Sequence, residues 1–365
     1  LTFSNDEEMK VVIAIDSFKG CLSSAEANEA ARQGVLDVCP DAEVVCLEMS
    51  DGGEGWLSAL EQAVGGEYVS CEVHDPLMRP IQSCYLRKGE TAYIESAKVI
   101  GLPLLKLRER NPLQATSYGL GELIFHAVEG GCREIVVGLG GSATSDVGRG
   151  MLKGIEDLMD VDHAATIHPF RDEVRYVVAT DVTSPLYGLN GAARLFAPQK
   201  GATAEQVEQL ETISQETAMH NKAQMGYDCS GKPGAGAAGG LGYAFMQHFG
   251  AEVRSGAELL LDLLGFDHQI ADADLIVTGE GSADRQTLLG KLPQRILERC
   301  KRQDKPTVLI AGKTSDGPTL LSSGFSAVRC VNPPGISEKE AMRKPVALRH
   351  IRKSLAELAA SVVAS

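Results

Sequence analysis

Residues 10–35 read KVVIAIDSFKGCLSSAEANEAARQGV. The first seven are apolar and β-branched, closed by Asp16, which is the pattern of a strand buried on both faces. A short polar loop follows. Ser23 and Glu26 then have the spacing of a capping box, and an Ala-rich run to Gly34 reads as helix. A second apolar run, AEVVCLEM (42–49), reads as another strand, and SDGGEG (50–55) turns into a helix over 56–64. Strand, helix, strand, loop and helix in this order open a parallel α/β sheet.

The pattern then changes. EYVSCEVHDP, PIQSCYLRKG and ETAYIES are extended segments with turn signals at Asp75-Pro76 and Lys88-Gly89, and they predict antiparallel hairpins. A helix over about 119–129 leads to a strand at 135–139. A further helix (149–159), a polar link and a strand (175–182) follow. Thr203 and Gln206 cap a long helix reaching about 222. Strands at 273–281 and 306–312 each end in a glycine turn, FSAVRCVN is a shorter strand, and a terminal helix occupies about 346–361. The two ends of the chain read as one parallel α/β unit and the hairpin-rich middle as an insertion. The expected domains are 1–64 with 267–365, and 65–266. At 365 residues two domains are favoured over one core, because single cores stop growing near ~250–300 residues.

The net charge of −14 argues against nucleic acid or an anionic membrane as a general partner. Nine cysteines at irregular spacing, without a C-x-x-C pair, read as reduced thiols of a cytoplasmic protein. No run approaches the ~18 apolar residues of a membrane span. The start, LTFSNDEEMK, lacks the pattern of a signal peptide, and Met9 is the expected natural start.

Two phosphate-binding patterns are near misses. GYDCSGKP (226–233) has the spacing of a P-loop, but Pro233 stands where a Ser or Thr would bind Mg²⁺. GAGAAG (234–239) matches G-x-G-x-x-G, yet neither follows an apolar strand. Its glycines are expected to admit a close approach instead. His163 and His168 lie in the polar link without a Cys or carboxylate cluster to complete a metal site.

What carries chemistry is a set of polar tips at predicted strand ends, where open α/β sheets bind ligands. They are Asp16-Ser17-Phe18-Lys19, Asp51-Gly52-Gly53-Glu54-Gly55, Gly140-Gly141-Ser142-Ala143-Thr144-Ser145-Asp146, Asp181, and Gly279-Glu280-Gly281 with Asp284 and Lys291. Glycines let backbone N–H groups reach phosphate oxygens, lysines supply point charge, and carboxylates hold Mg²⁺ or accept a hydroxyl proton. Together these tips point to phosphoryl transfer without a P-loop.

In this order the tips resemble the bacterial class I glycerate kinases. The matching words are IAIDSFKG (13–20), SDGGEG (50–55), TSYGLGELI (116–124), GLGGSATSD (138–146), ATDVTSPLYGLNGAARLFAPQKGA (179–202), PGAGAAGGLG (233–242) and TGEGSADRQTLLGK (278–291). The resemblance implies a flavodoxin-like parallel α/β domain with an inserted restriction-endonuclease-like α/β domain that contains the hairpins, and an active site in the cleft between them. It implies an ATP- and Mg²⁺-dependent phosphotransferase with an alcohol acceptor, D-glycerate, yielding 2-phosphoglycerate and ADP. A homodimer is held open.

By the same resemblance, Lys19 is assigned to the transferring phosphoryl group or the glycerate carboxylate. Asp51 and Asp181 are assigned to Mg²⁺ or to the hydroxyl proton, and Glu280 and Asp284 to metal or nucleotide. Lys200 and Lys291 hold phosphates. Asp16, Ser17, Gly52, Gly53, Glu54, Gly140, Gly141, Ser142 and Thr144 complete the substrate and phosphate contacts, and Asp146 caps or orients the last of these loops. Ser145 and Val147 stand where the family pattern has Asn and the first of two Gly, and Tyr118 and Leu120 where it carries Arg and Thr. Ser145 and Val147 are the first places to look for a changed substrate or an idle enzyme, and the Tyr118 change motivates a related hydroxy acid as substrate. The alternatives are a kinase of a related small hydroxy acid, with 3-phosphoglycerate the product if glycerate reacts at O3, and a non-catalytic protein that binds nucleotide or glycerate.

Overall fold

The computed structural model of the chain describes residues 9–159, 170 and 172–363. His163 and His168 lie outside them. The strands, in chain order, are β1 (Lys10–Ile15), β2 (Glu43–Cys46), β3 (Glu67–His74), β4 (Pro80–Lys88), β5 (Thr91–Glu95), β6 (Glu134–Gly138), β7 (Arg175–Ala179), β8 (Glu252–Arg254), β9 (Leu275–Ala283), β10 (Thr307–Thr314) and β11 (Ala327–Cys330). They form two sheets, one of five strands and one of six. The chain divides into two compact units: one runs up to Ser50 and resumes at Leu260, and the other is Asp51–Leu259.

The first unit holds the five-stranded sheet, parallel throughout, in the order β11-β10-β9-β1-β2. Counted within the unit this is 2-1-3-4-5, so the strand order reverses between β1 and β9. β1 is buried from Val11 to Ile15, as a strand covered by helices on both faces must be. Ser23 accepts the Glu26 amide and Glu26 returns the bond, so the expected capping box starts the helix Ser24–Leu36. That helix packs on the C-terminal helix Lys344–Val363. Gly34 allows the approach: a Cβ there would overlap the Arg352 carbonyl.

The second unit holds a mixed sheet in sequential order, β3 to β8. β3, β4 and β5 pair antiparallel, as the hairpin signals predicted, and β5 to β8 pair parallel. Its core joins Ile94, Ile135, Val137 and Val178 of the strands with Leu120, Leu123 and Ile124 of the helix Tyr118–Glu129 and Met151 and Ile155 of the helix Arg149–Met159. Each such side chain contributes about 1.5–3 kcal/mol when fully buried. The helix Trp56–Val64 packs against β4 and β5 and so belongs to this unit.

Two strand ends differ from the sequence reading. The glycines of TGEG and IAG were expected to stop β9 and β10, yet β9 continues to Ala283 and β10 to Thr314, with Ala311 paired to Glu280 and Thr314 to Ala283. Gly279 serves strand packing instead. A Cβ there would lie 2.5 Å from the Ile310 carbonyl oxygen, and glycine in a strand often marks such an approach. Glu280 therefore sits within a strand.

Candidate active site

In the first unit, β1 and β9 are neighbours paired through Ile15 and Gly279, and the Asp16 amide donates to the Gly279 carbonyl at 2.9 Å. Asp16 thus leaves β1 beside Glu280, which stays paired with Ala311 of β10, where the strand order reverses. Two buried side chains fix the end of β1. Ser24 donates to the Ile15 carbonyl (2.6 Å) and accepts the Met49 amide, and Asn28 accepts the Ile15 amide (3.0 Å) while donating to the Leu47 carbonyl (2.8 Å). Asp16 Oδ1 accepts the Ser17 amide at 2.7 Å. Phe18 and Leu22 exchange backbone bonds, so Lys19, Gly20 and Cys21 form a tight tip ahead of the helix, with Lys19 and Gly20 exposed.

The carboxylate of Glu280 is buried. Its two oxygens accept the Thr287 hydroxyl (2.5 Å) and the half-exposed Lys291 ammonium (3.2 Å). Asp284 caps the short turn after β9, accepting the Gln286 amide at 2.7 Å. Glu280 near the end of β9 is therefore gathered with Asp284 and Lys291 of the turn and helix start that follow.

In the second unit three strand ends converge under the 51–55 loop. Gly52 lies on the ends of β7 and β6: a Cβ on it would be 2.7 Å from the Ala179 carbonyl oxygen. A Cβ on Gly140 would be 2.5 Å from the Gly53 Cα. Asp51 Oδ1 accepts the Gly53 amide at 3.1 Å. Glu95, at the end of β5, is buried and accepts the Leu57 (3.1 Å) and Gly55 (3.4 Å) amides at the start of the helix Trp56–Val64. Burial raises its pKa above the usual carboxylate range, the two backbone bonds and the Lys98 charge oppose that, and the charge of Glu54 adds to it. The sequence reading passed over Glu95, Ser24 and Asn28. For Glu95 the available signal was a carboxylate closing the apolar run TAYIE.

The Gly140–Asp146 loop is held from within. Asp146 accepts the Ser117 amide and hydroxyl (both 2.8 Å) and the Gly148 and Gly150 amides (both 3.1 Å), so it orders the start of the following helix. Lys200 is 3% exposed. Its ammonium donates to Ser142 Oγ (2.9 Å) and the Thr144 carbonyl (2.6 Å). Burial pushes its pKa down to about 7, and the charge of Asp146 acts the other way. Thr144 Oγ1 is buried without a hydrogen-bond partner. Val147 takes a left-handed backbone, φ 57, and is buried against Leu186, Tyr243 and Met246. The loop thus keeps the backbone form that suits glycine, with valine in the position.

Asp181 follows β7. Its carboxylate accepts the Ser255 hydroxyl and the Ala257 amide (3.3 Å), at the start of the helix Gly256–Leu263. The GAGAAG stretch is no nucleotide loop after a strand. It packs on the loops beside it, with Gly236 N bonded to the Ser184 carbonyl and the Gly239 carbonyl to Val147 N. The GYDCSGKP stretch follows the long helix Ala204–Met225 and likewise has no strand before it. Tyr118 donates to Asp157 (3.2 Å) and meets the His74 ring edge-on, while Leu120 is core. All nine cysteines are unpaired. Among the described residues no group of three His, Cys, Asp or Glu is placed to hold a metal ion, and no helix is long and apolar enough to cross a membrane.

The strand-end segments are thus ordered by their own hydrogen bonds, and comparison with known proteins places the chain in a family. The chain matches the model of the glycerate kinase family over residues 11–363. It is 38% identical to the glycerate 2-kinase of Escherichia coli (strain K12) over 342 residues, 88% of this chain and 90% of that one. It is 35% identical to the glycerate kinase of Bacillus subtilis (strain 168) over 377 residues, 97% and 98% of the two chains. A crystal structure from Salmonella typhimurium LT2, provisionally assigned as glycerate kinase 2, superimposes with a TM-score of 0.80 at 36% identity, covering 98% of this chain and 99% of that chain.

Proposed function

The chain belongs to the glycerate kinase family, and from that premise we propose that it transfers the γ-phosphoryl group of ATP to the 2-hydroxyl of D-glycerate. It is an ATP-dependent phosphotransferase acting on glycerate. The observation that carries the reading is the pairing of Ile15 with Gly279, which sets Asp16 and Glu280 side by side at the strand-order reversal. Doubly wound sheets bind ligands there. The 2-1-3-4-5 order supports a flavodoxin-like reading of the first unit, and the mixed sheet with its hairpins supports a restriction-endonuclease-like reading of the second.

Glu280, Asp284 and Asp181 are the residues proposed for Mg²⁺. They offer only carboxylate oxygens, the donor type this hard cation takes, and it is usually held by one or two carboxylates with substrate phosphates and waters. When bound, Mg²⁺ supplies charge neutralisation at the phosphates. The residues do the rest by position. Lys19, on its exposed tip, places a point charge against the transferring phosphoryl group or the glycerate carboxylate. Lys291, already beside Glu280, is positioned to exchange that contact for a phosphate oxygen. Asp16, Ser17, Gly52, Gly53 and Glu54 line the strand-end loops, and Gly140, Gly141, Ser142 and Thr144 form the anion loop. The unpartnered Thr144 hydroxyl supports that role, since a buried polar atom without a partner calls for one. Asp51 and Asp181 are the carboxylates proposed to accept the hydroxyl proton.

The test is ADP release from Mg-ATP with D-glycerate and with a panel of other small hydroxy acids. D-Glycerate is expected to give the highest kcat/KM. Lys19→Ala and Asp181→Ala are each expected to lower turnover at least ~10²-fold. Turnover near wild type in both variants would remove these role assignments, and no ADP release with any acid would remove the kinase reading.

A further inference from the structure

Lys200 reads in sequence as one more phosphate-holding lysine, but its surroundings differ from those of Lys19 and Lys291. Those two stand at exposed or half-exposed positions. Lys200 is enclosed, and among the described residues its ammonium has two partners, Ser142 Oγ and the Thr144 carbonyl, both within the anion loop. It is therefore bonded to the loop itself and shielded from solvent. We propose that Lys200 is a proton-linked counter-charge for the Gly140–Thr144 loop: its enclosed ammonium, bonded to Ser142 and Thr144, answers the charge of an anion that the loop receives, and anion binding draws a proton from solvent onto it. This rests on the functional reading given above.

The argument is electrostatic. A lysine taken out of water without a bonded carboxylate favours the neutral amine. The amine still donates hydrogens to both partners, so losing the proton removes charge without breaking the loop's attachment. Asp146, on the same loop, is the carboxylate whose charge favours the ammonium. On the other elements packed nearby, Arg110 lies against Gly201, and Arg194 is paired with Glu208. Burial brings the Lys200 pKa to about 7 in the ligand-free protein. A phosphate or carboxylate arriving on the loop adds negative charge a few atoms away and raises that pKa again. Binding then takes up a proton wherever the free protein is neutral and the complex is charged. Over that window, above about pH 7, affinity falls as pH rises, by up to about tenfold per pH unit.

The experiment is calorimetry of D-glycerate and, separately, Mg-ATP, each in two buffers of different ionisation enthalpy from pH 6.5 to 9 (~1 unit steps suffice at tenfold per unit). The wild type is expected to take up a fraction of a proton at alkaline pH with one of the two ligands. Lys200→Met should bind that ligand more weakly at neutral pH, with no uptake and a flat pH profile. Lys200→Arg, charged throughout, should lose the uptake and hold its neutral-pH affinity into the alkaline range. A ¹⁵N-lysine NMR titration of the ligand-free wild type, its Lys200 signal assigned by the signal missing from Lys200→Arg, reads the same proton without a folded Met variant. Titration of Lys200 near the ordinary lysine value, or unchanged proton uptake in Lys200→Met, would overturn the proposal alone. Failure of the wild type to bind either ligand would overturn the functional reading and the proposal with it.

Discussion

The Gly140–Gly150 segment and the Glu280–Lys291 segment both lie at the end of a parallel strand and both bring an acid and a lysine together, yet they are built in opposite ways. The first is tied to its unit by a part-buried carboxylate and a buried ammonium bonded mainly to backbone: Asp146 to three amides and a hydroxyl, Lys200 to a carbonyl and a hydroxyl. In the second, the charges of Glu280 and Lys291 are bonded to side chains, Glu280 to Thr287 and Lys291, with Lys291 half-exposed and Leu289 exposed. Bonds from a buried charge to backbone fix the chain's path and are costly to lose. A half-exposed ion pair is worth about 0–1 kcal/mol and is free to trade partners. The difference teaches a division of labour. One loop is shaped before any ligand arrives, and the other holds charges that a ligand can recruit.

The largest effect should come from breaking the first loop. Asp146→Ala leaves three amides and a hydroxyl without their acceptor and is expected to cost about 3 kcal/mol or more in equilibrium urea unfolding. Turnover should fall with it. Glu280→Gln inverts the pattern: turnover is expected to drop at least ~10²-fold while the unfolding free energy changes by less than about 1 kcal/mol. Equal stability losses in the two variants would erase the contrast. The smallest effect sharpens it. Val147 spends about 1–2 kcal/mol on its left-handed backbone, against about 1.5–3 kcal/mol from burying its side chain. Val147→Gly should therefore cost only about 1 kcal/mol, whereas Val137→Gly in the unstrained β6 should cost about 3 kcal/mol. Equal costs at the two positions would show that the valine is unstrained.

Much of this was legible in the sequence because it is local. The apolar run at 10–15, the Ser23 and Thr203 capping boxes and the hairpin turns announce their elements through nearest neighbours, and the polar tips sit where strands were expected to end. What escaped depends on distant partners. Gly279 looked like a turn residue until β10 lay beside it. Glu95, Ser24 and Asn28 matter through bonds to backbone elsewhere in their units. Nothing local in APQKGA distinguishes a buried lysine from a surface one; the enclosure of Lys200 comes from the loop that covers it. Val147, standing where the family pattern has Gly, takes the left-handed form, and the apolar cluster around Tyr243 offsets the strain.

The measurement that tests the account most directly is the position of the transferred phosphate. Purified protein is incubated with Mg-ATP and D-glycerate, and the product is offered to enolase without a phosphoglycerate mutase. The account predicts phosphoenolpyruvate formed in step with ADP release. ADP release with a product that enolase accepts only after mutase is added would contradict transfer to the 2-hydroxyl.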